Sequence, residues 1–393
     1  MHDVGNSADG KTYLPDRLVN NANENDVIKL QQGRSCRIAA TLLLAVTILL
    51  GACAQKPLLP YSSDTQPLAL MPISRAGILD ERGRFREIFC TILEERGISL
   101  PDYRPCDDAL VRIGKEPLGT GRVVNLGESR RKLTALVVPG VGWDCFTDWL
   151  DIDNSIQDHV RRFGYDLVML HVDGLSSTTN NARQIRDAIL AMAPNGAKPD
   201  LILIGYSKGA PDMLEALVSF PEIHKRIVAV VSIAGAVGGS PLANDASQSQ
   251  LALMRHWPGA QCTEGDGGAI ESLRPSVRKA WLADNLLPET FRYYSLVAYP
   301  KPERISSVLH FSYKMLSQVD ARNDSQLLFY DQVIPSGSLL GYANADHLAM
   351  AVPIARSHST LGAVFVDQNQ YPREAMFEAI LRFVEEKLDS SSR

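Results

Sequence analysis

The chain lacks several features that would have fixed its function at once. It has no excess of basic charge: 40 Lys and Arg stand against 45 Asp and Glu, a formal net charge of −5. No basic stripe stands out, so nucleic acid is not an expected partner. No C-x-x-C and no H-x-x-x-H spacing occurs, so neither a zinc site nor any other metal or cofactor is expected. There is no internal repeat and no long low-complexity tract, which excludes solenoids and arrays. No apolar run reaches the ~20 residues that a spanning helix needs. What remains is a chain of 393 residues, 45% hydrophobic, ample for one large core with a cap.

The one long apolar run lies near the N-terminus. Arg34 and Arg37 precede "IAATLLLAVTILLGACA", residues 38–54. A positive start, an apolar middle and small residues at the end describe an export signal. Its end, Leu50-Gly51-Ala52-Cys53, resembles the lipobox of bacterial lipoproteins. That resemblance implies cleavage before Cys53, acylation of its thiol with a fatty acid such as palmitate, and a membrane anchor. A signal anchor that is never cleaved is the alternative. Ala54, rather than an aspartate, follows the cysteine, which by the same resemblance implies the outer membrane and its periplasmic face. Residues 1–33 are polar and long for a signal's first region, so the expected translation start lies downstream of Met1. Residues 1–52 are thus read as extension and signal, and residues 53–75, which hold four prolines, as anchor and tether.

Four cysteines follow: Cys90, Cys106, Cys145 and Cys262. Export permits disulfides. Cys90 and Cys106 flank a turn, so that pair is favoured, with free buried thiols as the alternative.

Residues 76–393 read as one α/β domain. "LTALVVPG" (133–140), "YDLVMLHV" (165–172), "DLILIG" (200–205) and "RIVAVVSIAG" (226–235) are apolar runs of strand length. Continuous apolar strands suit a parallel sheet covered on both faces. Helical segments alternate with them: "SIQDHVRRFG", "NARQIRDAILAMA" and "APDMLEALVSF". The expected fold is therefore a mostly parallel central sheet with helices on both faces. Residues 245–288, with Trp257 and Trp281, read as a cap-like excursion. "FRYYSLVAY" (291–299) reads as a further strand, "RISSVLHFSYKMLSQV" as a helix, and "REAMFEAILRFVEEKL" as a closing amphipathic helix.

Gly205-Tyr206-Ser207-Lys208-Gly209 sits where a strand gives way to a helix. Gly-x-Ser-x-Gly in that place is a nucleophile elbow, which lifts a serine hydroxyl above the sheet edge. An activated serine needs a base, and the base needs an orienting acid, in the chain order Ser, acid, His. His310, His347 and His358 lie downstream. His310 falls inside a helix and His358 lies deeper in the C-terminal segment. His347, in "YANADHLAMA", follows a short strand, from which its ring could reach Ser207. The acid candidates are Asp320, Asp324, Asp331 and Asp346. Asp346 is adjacent to the histidine and Asp320 sits at a helix end, which leaves Asp324 and Asp331. For the oxyanion hole the fold expects the backbone N–H of Lys208 and one from "PGVGWDC", at Val141 or Gly142. The Lys208 side chain is expected to be solvated. Trp143 and Trp149 are candidates for an acyl pocket or for core packing.

"FRYYSLVAY", Asn323-Asp324, Asp346-His347 and "GSPLAND" (239–245) together resemble the C-terminal half of bacterial lipases of the α/β-hydrolase superfamily. The resemblance spans roughly residues 133–360. It implies that Asp324 rather than Asp331 is the acid, and that the substrate is a carboxylic ester, with lipid and acyl esters favoured. The chain departs from those lipases at three places. Pro139-Gly140 stands for their His-Gly, Ser325 for the glycine of Asn-Asp-Gly, and Ala236-Val237-Gly238 for Pro-His-Arg. These departures support one alternative, a hydrolase-fold lipoprotein that only binds an envelope partner. The complete Ser, Asp, His order argues against it.

Overall fold

The computed structural model describes residues 77–145, 154–192, 200–246, 262–263 and 265–391. The signal region, Cys53, the tether, Trp149, Trp257 and residues 247–261 and 264 of the expected cap lie outside these residues.

Eight strands form one sheet: β1 Leu79–Asp80, β2 Leu110–Val111, β3 Leu133–Val138, β4 Asp166–Met169, β5 Asp200–Tyr206, β6 Ile227–Ile233, β7 Arg292–Ala298 and β8 Ser338–Ala343. Their order is β1-β8-β7-β6-β5-β3-β4, with β2 also paired to β8. Every pairing is parallel except that of β2 with β8. The expected mostly parallel sheet is thus present. Strand β4 is shorter than its apolar run because Leu170 is already the last residue to reach β3, through a bond to Val137 O.

Helices cover both faces. Those of seven residues or more among the described residues are α1 Arg82–Arg96, α2 Ser155–Arg161, α3 Thr178–Ala191, α4 Gly209–Ser219, α5 Pro275–Asp284, α6 His310–Ser317 and α7 Arg373–Ser391. The alternation along β5 shows why its run is apolar throughout. Leu201 and Leu203 enter one core with Ile185 and Ile189 of α3 and Met213 and Leu217 of α4. Ile202, Ile204 and Tyr206 enter the other, with Phe85 and Phe89 of α1 and Ile380 and Phe383 of α7. Each such aliphatic side chain contributes about 1.5–3 kcal/mol by leaving water. Helix α3 starts three residues before its expected segment because Ser177 Oγ caps the Asn180 N–H.

Helix α7 departs from a simple amphipathic pattern. Glu374, Glu378 and Glu385 are buried rather than solvated. Arg356 and Ser155 bond Glu374, His159 and Arg382 bond Glu378, and the Tyr165 hydroxyl donates to Glu385. The helix expected around residues 304–319 is a 3-10 turn at Ser307–Leu309 followed by the shorter α6. "LLFYDQV" holds a 3-10 turn at Phe329–Gln332 and no strand.

Two disulfides occur among the described residues. The favoured Cys90–Cys106 bridge ties α1 to the turn at Cys106–Ala109. The second, Cys145–Cys262, joins the loop after β3 to the excursion.

Candidate active site

Ser207 follows the last residue of β5 and has φ 54°. A non-glycine residue in this left-handed region costs roughly 1–2 kcal/mol. The surroundings hold it there. Its N–H donates to Ile233 O at 3.3 Å, and its carbonyl accepts from Ala210 N at 3.1 Å and Ala236 N at 2.9 Å. The flanking glycines are required by close approach. A Cβ on Gly205 would stand 2.6 Å from the Ala210 Cα, and one on Gly209 would overlap the Val138 carbonyl. The serine between two glycines is therefore a backbone knot where β5, α4 and the end of β3 touch, with its hydroxyl left outside.

His347 reaches that hydroxyl from the loop after β8. Its Nε2 lies 2.8 Å from Ser207 Oγ, and its Nδ1 lies 2.8 Å from Asp324 Oδ2. Asp324 is fully buried. Its Oδ1 accepts from the Gln326 and Leu327 amides at 2.9 and 2.7 Å, which leaves Oδ2 aimed at the imidazole. The His347 N–H donates to the Asp324 carbonyl at 3.0 Å, so the two loops are joined by backbone as well. The neighbouring Ser325 has φ 82°, a conformation natural to the glycine it replaces in the lipase motif.

The other carboxylates are engaged elsewhere. Asp320 pairs with Arg322, which holds its pKa below the ordinary value. Asp346 Oδ2 accepts from Ser306 N and its Oδ1 from Ala349 N, fixing the turn beyond His347; burial raises its pKa. Asp331 packs against Gly238, with Lys279 Nζ at 4.0 Å, and burial pushes its carboxyl up to about 7. It does not meet His347. His310 stands at the start of α6 with Nε2 3.0 Å from Ile305 O.

Of the expected oxyanion residues, Lys208 follows the serine in the chain and Val141 lies on the loop after β3. The Lys208 and Val141 amides have no hydrogen-bond partner among the described residues. The Gly142 amide donates to Gly174 O at 3.2 Å, so of the two loop positions Val141 keeps its donor. The loop crosses close above the nucleophile: a Cβ on Gly140 would lie 2.9 Å from Ser207 Cβ. Trp143 is half-buried and packs on the core that α1 and α7 cover.

One expectation is overturned. The Lys208 side chain is not solvated; it is 1% exposed and its Nζ lies 2.8 Å from both oxygens of Asp212, one helical turn on. Asn181 completes the pair from α3 by donating to Asp212 Oδ2 at 2.8 Å. The side chain turns inward because Asp212 of α4 meets it one turn on, and α3, packed on α4, brings that carboxylate the amide of Asn181. Sequence reasoning also passed over Tyr206. Its hydroxyl donates to the His347 carbonyl at 2.8 Å, and its ring lies 5.3 Å from the imidazole. The variable position of Gly-x-Ser-x-Gly carries no signal for this.

A serine, an imidazole and a carboxylate in line above a parallel α/β sheet define the α/β-hydrolase class of serine hydrolases. A similar solved structure is the metagenomic carboxyl esterase MGS0156, 39% identical, with a TM-score of 0.77, covering 84% of this chain and 100% of that one. The chain belongs to this family of carboxyl esterases and is a carboxylic ester hydrolase. The mature Bacillus licheniformis lipase BlEst2 is 18% identical over 64% of this chain and 96% of its own, with a TM-score of 0.47. EstA from Clostridium botulinum is 13% identical over 74% and 97%, with a TM-score of 0.45. No family model and no curated protein matches the chain.

Proposed function

We infer that the chain cleaves carboxylic esters through a Ser207–His347–Asp324 triad and an acyl-enzyme, acting on lipid or acyl esters while held at a bacterial membrane by a lipid on Cys53. The observation that carries the chemistry is the line of two 2.8 Å contacts from Ser207 Oγ through His347 to Asp324. Ser207 Oγ attacks the ester carbonyl carbon as His347 Nε2 takes its proton. The developing oxyanion lies toward the amides of Lys208 and Val141, each donor contributing on the order of 3 kcal/mol to the transition state. Asp324 fixes the imidazole tautomer and stabilises the imidazolium. The imidazolium gives its proton to the leaving alcohol, which departs, and the acyl group stays on Ser207. Water then attacks with His347 as base, releasing the acid and restoring the serine.

The anchor rests on the sequence of residues 38–54. Each buried CH₂ of an acyl chain contributes about 0.8 kcal/mol, so several chains make release negligible. Export to the periplasmic face of the outer membrane agrees with Ala54 and with two disulfides. A protein so placed meets amphiphilic esters at a surface.

Rapid-quench mass spectrometry during turnover of p-nitrophenyl esters tests the chemistry. An acyl group on the peptide holding Ser207 is expected, with turnover rising from acetyl to longer chains. Turnover with no acylated peptide, and undiminished in Ser207→Ala, would overturn it. Fatty-acid labelling in cells tests the anchor: equal label in wild type and Cys53→Ala would exclude acylation at Cys53.

A further inference from the structure

The loop that carries Val141 leaves the sheet after Val138, so the strand ladder does not hold it. Three other contacts do. The Gly142 N–H donates to Gly174 O. Asp144 bridges two further segments: its Oδ1 accepts from Gly174 N at 3.0 Å and its Oδ2 from Thr263 N at 3.1 Å. Cys145, the next residue, is bonded to Cys262. Around that bridge Val141, Leu175 and Ile270 close a small apolar cluster of their own, apart from the two main cores. Gly174 permits the approach, since a Cβ there would stand 2.6 Å from the Gly142 nitrogen. The clamp is backed from behind, where Asp266 accepts from the Ser177 amide and hydroxyl.

An amide donor stabilises an oxyanion best when it is already in place, because it then costs no reorganisation during the reaction. We propose that Asp144, Gly174 and the Cys145–Cys262 disulfide are positioning residues for catalysis: they lock the Val141 amide beside Ser207, so that the excursion sets the turnover rate through a covalent link. This rests on the oxyanion role of Val141 given above. The remote bridge Cys90–Cys106 lies on α1 and touches none of these segments.

The test uses the full chain with active sites titrated by a fluorophosphonate. The variants are Cys145→Ala/Cys262→Ala, Asp144→Asn and Gly174→Ala, beside Cys90→Ala/Cys106→Ala. For each, kcat and KM on p-nitrophenyl butanoate and the Ki of a trifluoromethyl ketone, which forms a tetrahedral oxyanion, are measured. The clamp variants are expected to lose about 10- to 100-fold in kcat per titrated site, with Ki rising in step and KM within about threefold. The remote pair is expected to keep kcat and Ki whatever it does to melting. If the double cysteine variant does not fold, Asp144→Asn, which keeps the disulfide, decides. Values of kcat and Ki within about twofold of wild type in the clamp variants, even with lowered melting, would reduce the clamp to a stability device and overturn the proposal. A wild type with no titratable serine and a fully active Ser207→Ala would instead sink the underlying triad reading, before any clamp variant is made.

Discussion

The buried pair Lys208–Asp212 offers a sharp test of the physics around the nucleophile. Both side chains are 1% exposed, and the ammonium lies 2.8 Å from both carboxylate oxygens. Burial raises the pKa of Asp212, and Lys208 and Asn181 pull it back down. Two charges so placed stabilise the fold little as a pair, because desolvation offsets most of their attraction. Breaking the pair is another matter. Asp212→Asn leaves an ammonium buried without a counter-charge, at a cost of about 3–5 kcal/mol. Lys208→Met costs less, since Asp212 can take up a proton and keep its bond from Asn181. The double variant removes both charges and is expected to recover at least about 2 kcal/mol relative to Asp212→Asn. Urea unfolding of the four proteins at one pH gives the cycle. Single effects that add to within about 0.5 kcal/mol would refute the reasoning, because contacting buried charges must couple.

Burial raises the Asp331 carboxyl from its ordinary 3.8 to about 7. Between those values the folded state holds a proton that the unfolded state has lost, so this group makes stability fall as pH rises and keeps it low above 7. The full span is roughly 4 kcal/mol, so Asp331→Asn is expected to gain up to that much on wild type between pH 4 and pH 8, read from urea midpoints; a difference independent of pH would contradict this. Ser325 sits at φ 82° with its Oγ buried and without a partner among the described residues. Ser325→Gly is therefore expected to stabilise by up to ~1 kcal/mol, and a lower melting temperature would count against the strain argument. Gly209→Ala forces a Cβ into the Val138 carbonyl. Backbone must move, so a loss of at least about 1–3 kcal/mol with a fall in kcat is expected, and a variant of wild-type stability and kcat would refute the close approach.

How much of this was legible beforehand follows from what each feature depends on. Strands β3, β5 and β6 announce themselves because both faces of each are covered, so their runs are almost wholly apolar, with Thr134, Asp200 and Ser232 the polar exceptions. The elbow is legible because local backbone crowding demands glycine at fixed offsets. Asp324 needed the lipase resemblance: from spacing alone it stood level with Asp331, and only the meeting of the loops after α6 and β8 separates them. The inward turn of Lys208 depends on Asp212 one turn along α4 and on α3 delivering Asn181 to that carboxylate, a contact across 31 residues of sequence. The Cys145–Cys262 bridge spans a separation of 117 residues, and no local pattern reports such a closure. The short strands β1 and β2 carry too few residues for any periodicity, and β8 supplies their pairing from far along the chain.

The most direct measurement is fluorophosphonate labelling of the purified protein, wild type beside Ser207→Ala, His347→Ala, Asp324→Ala and Asp331→Ala. The account predicts label on the wild type and on Asp331→Ala, none on Ser207→Ala, and strong loss with His347→Ala and Asp324→Ala. Label that survives in Ser207→Ala, or that falls with Asp331 and not with Asp324, would contradict it.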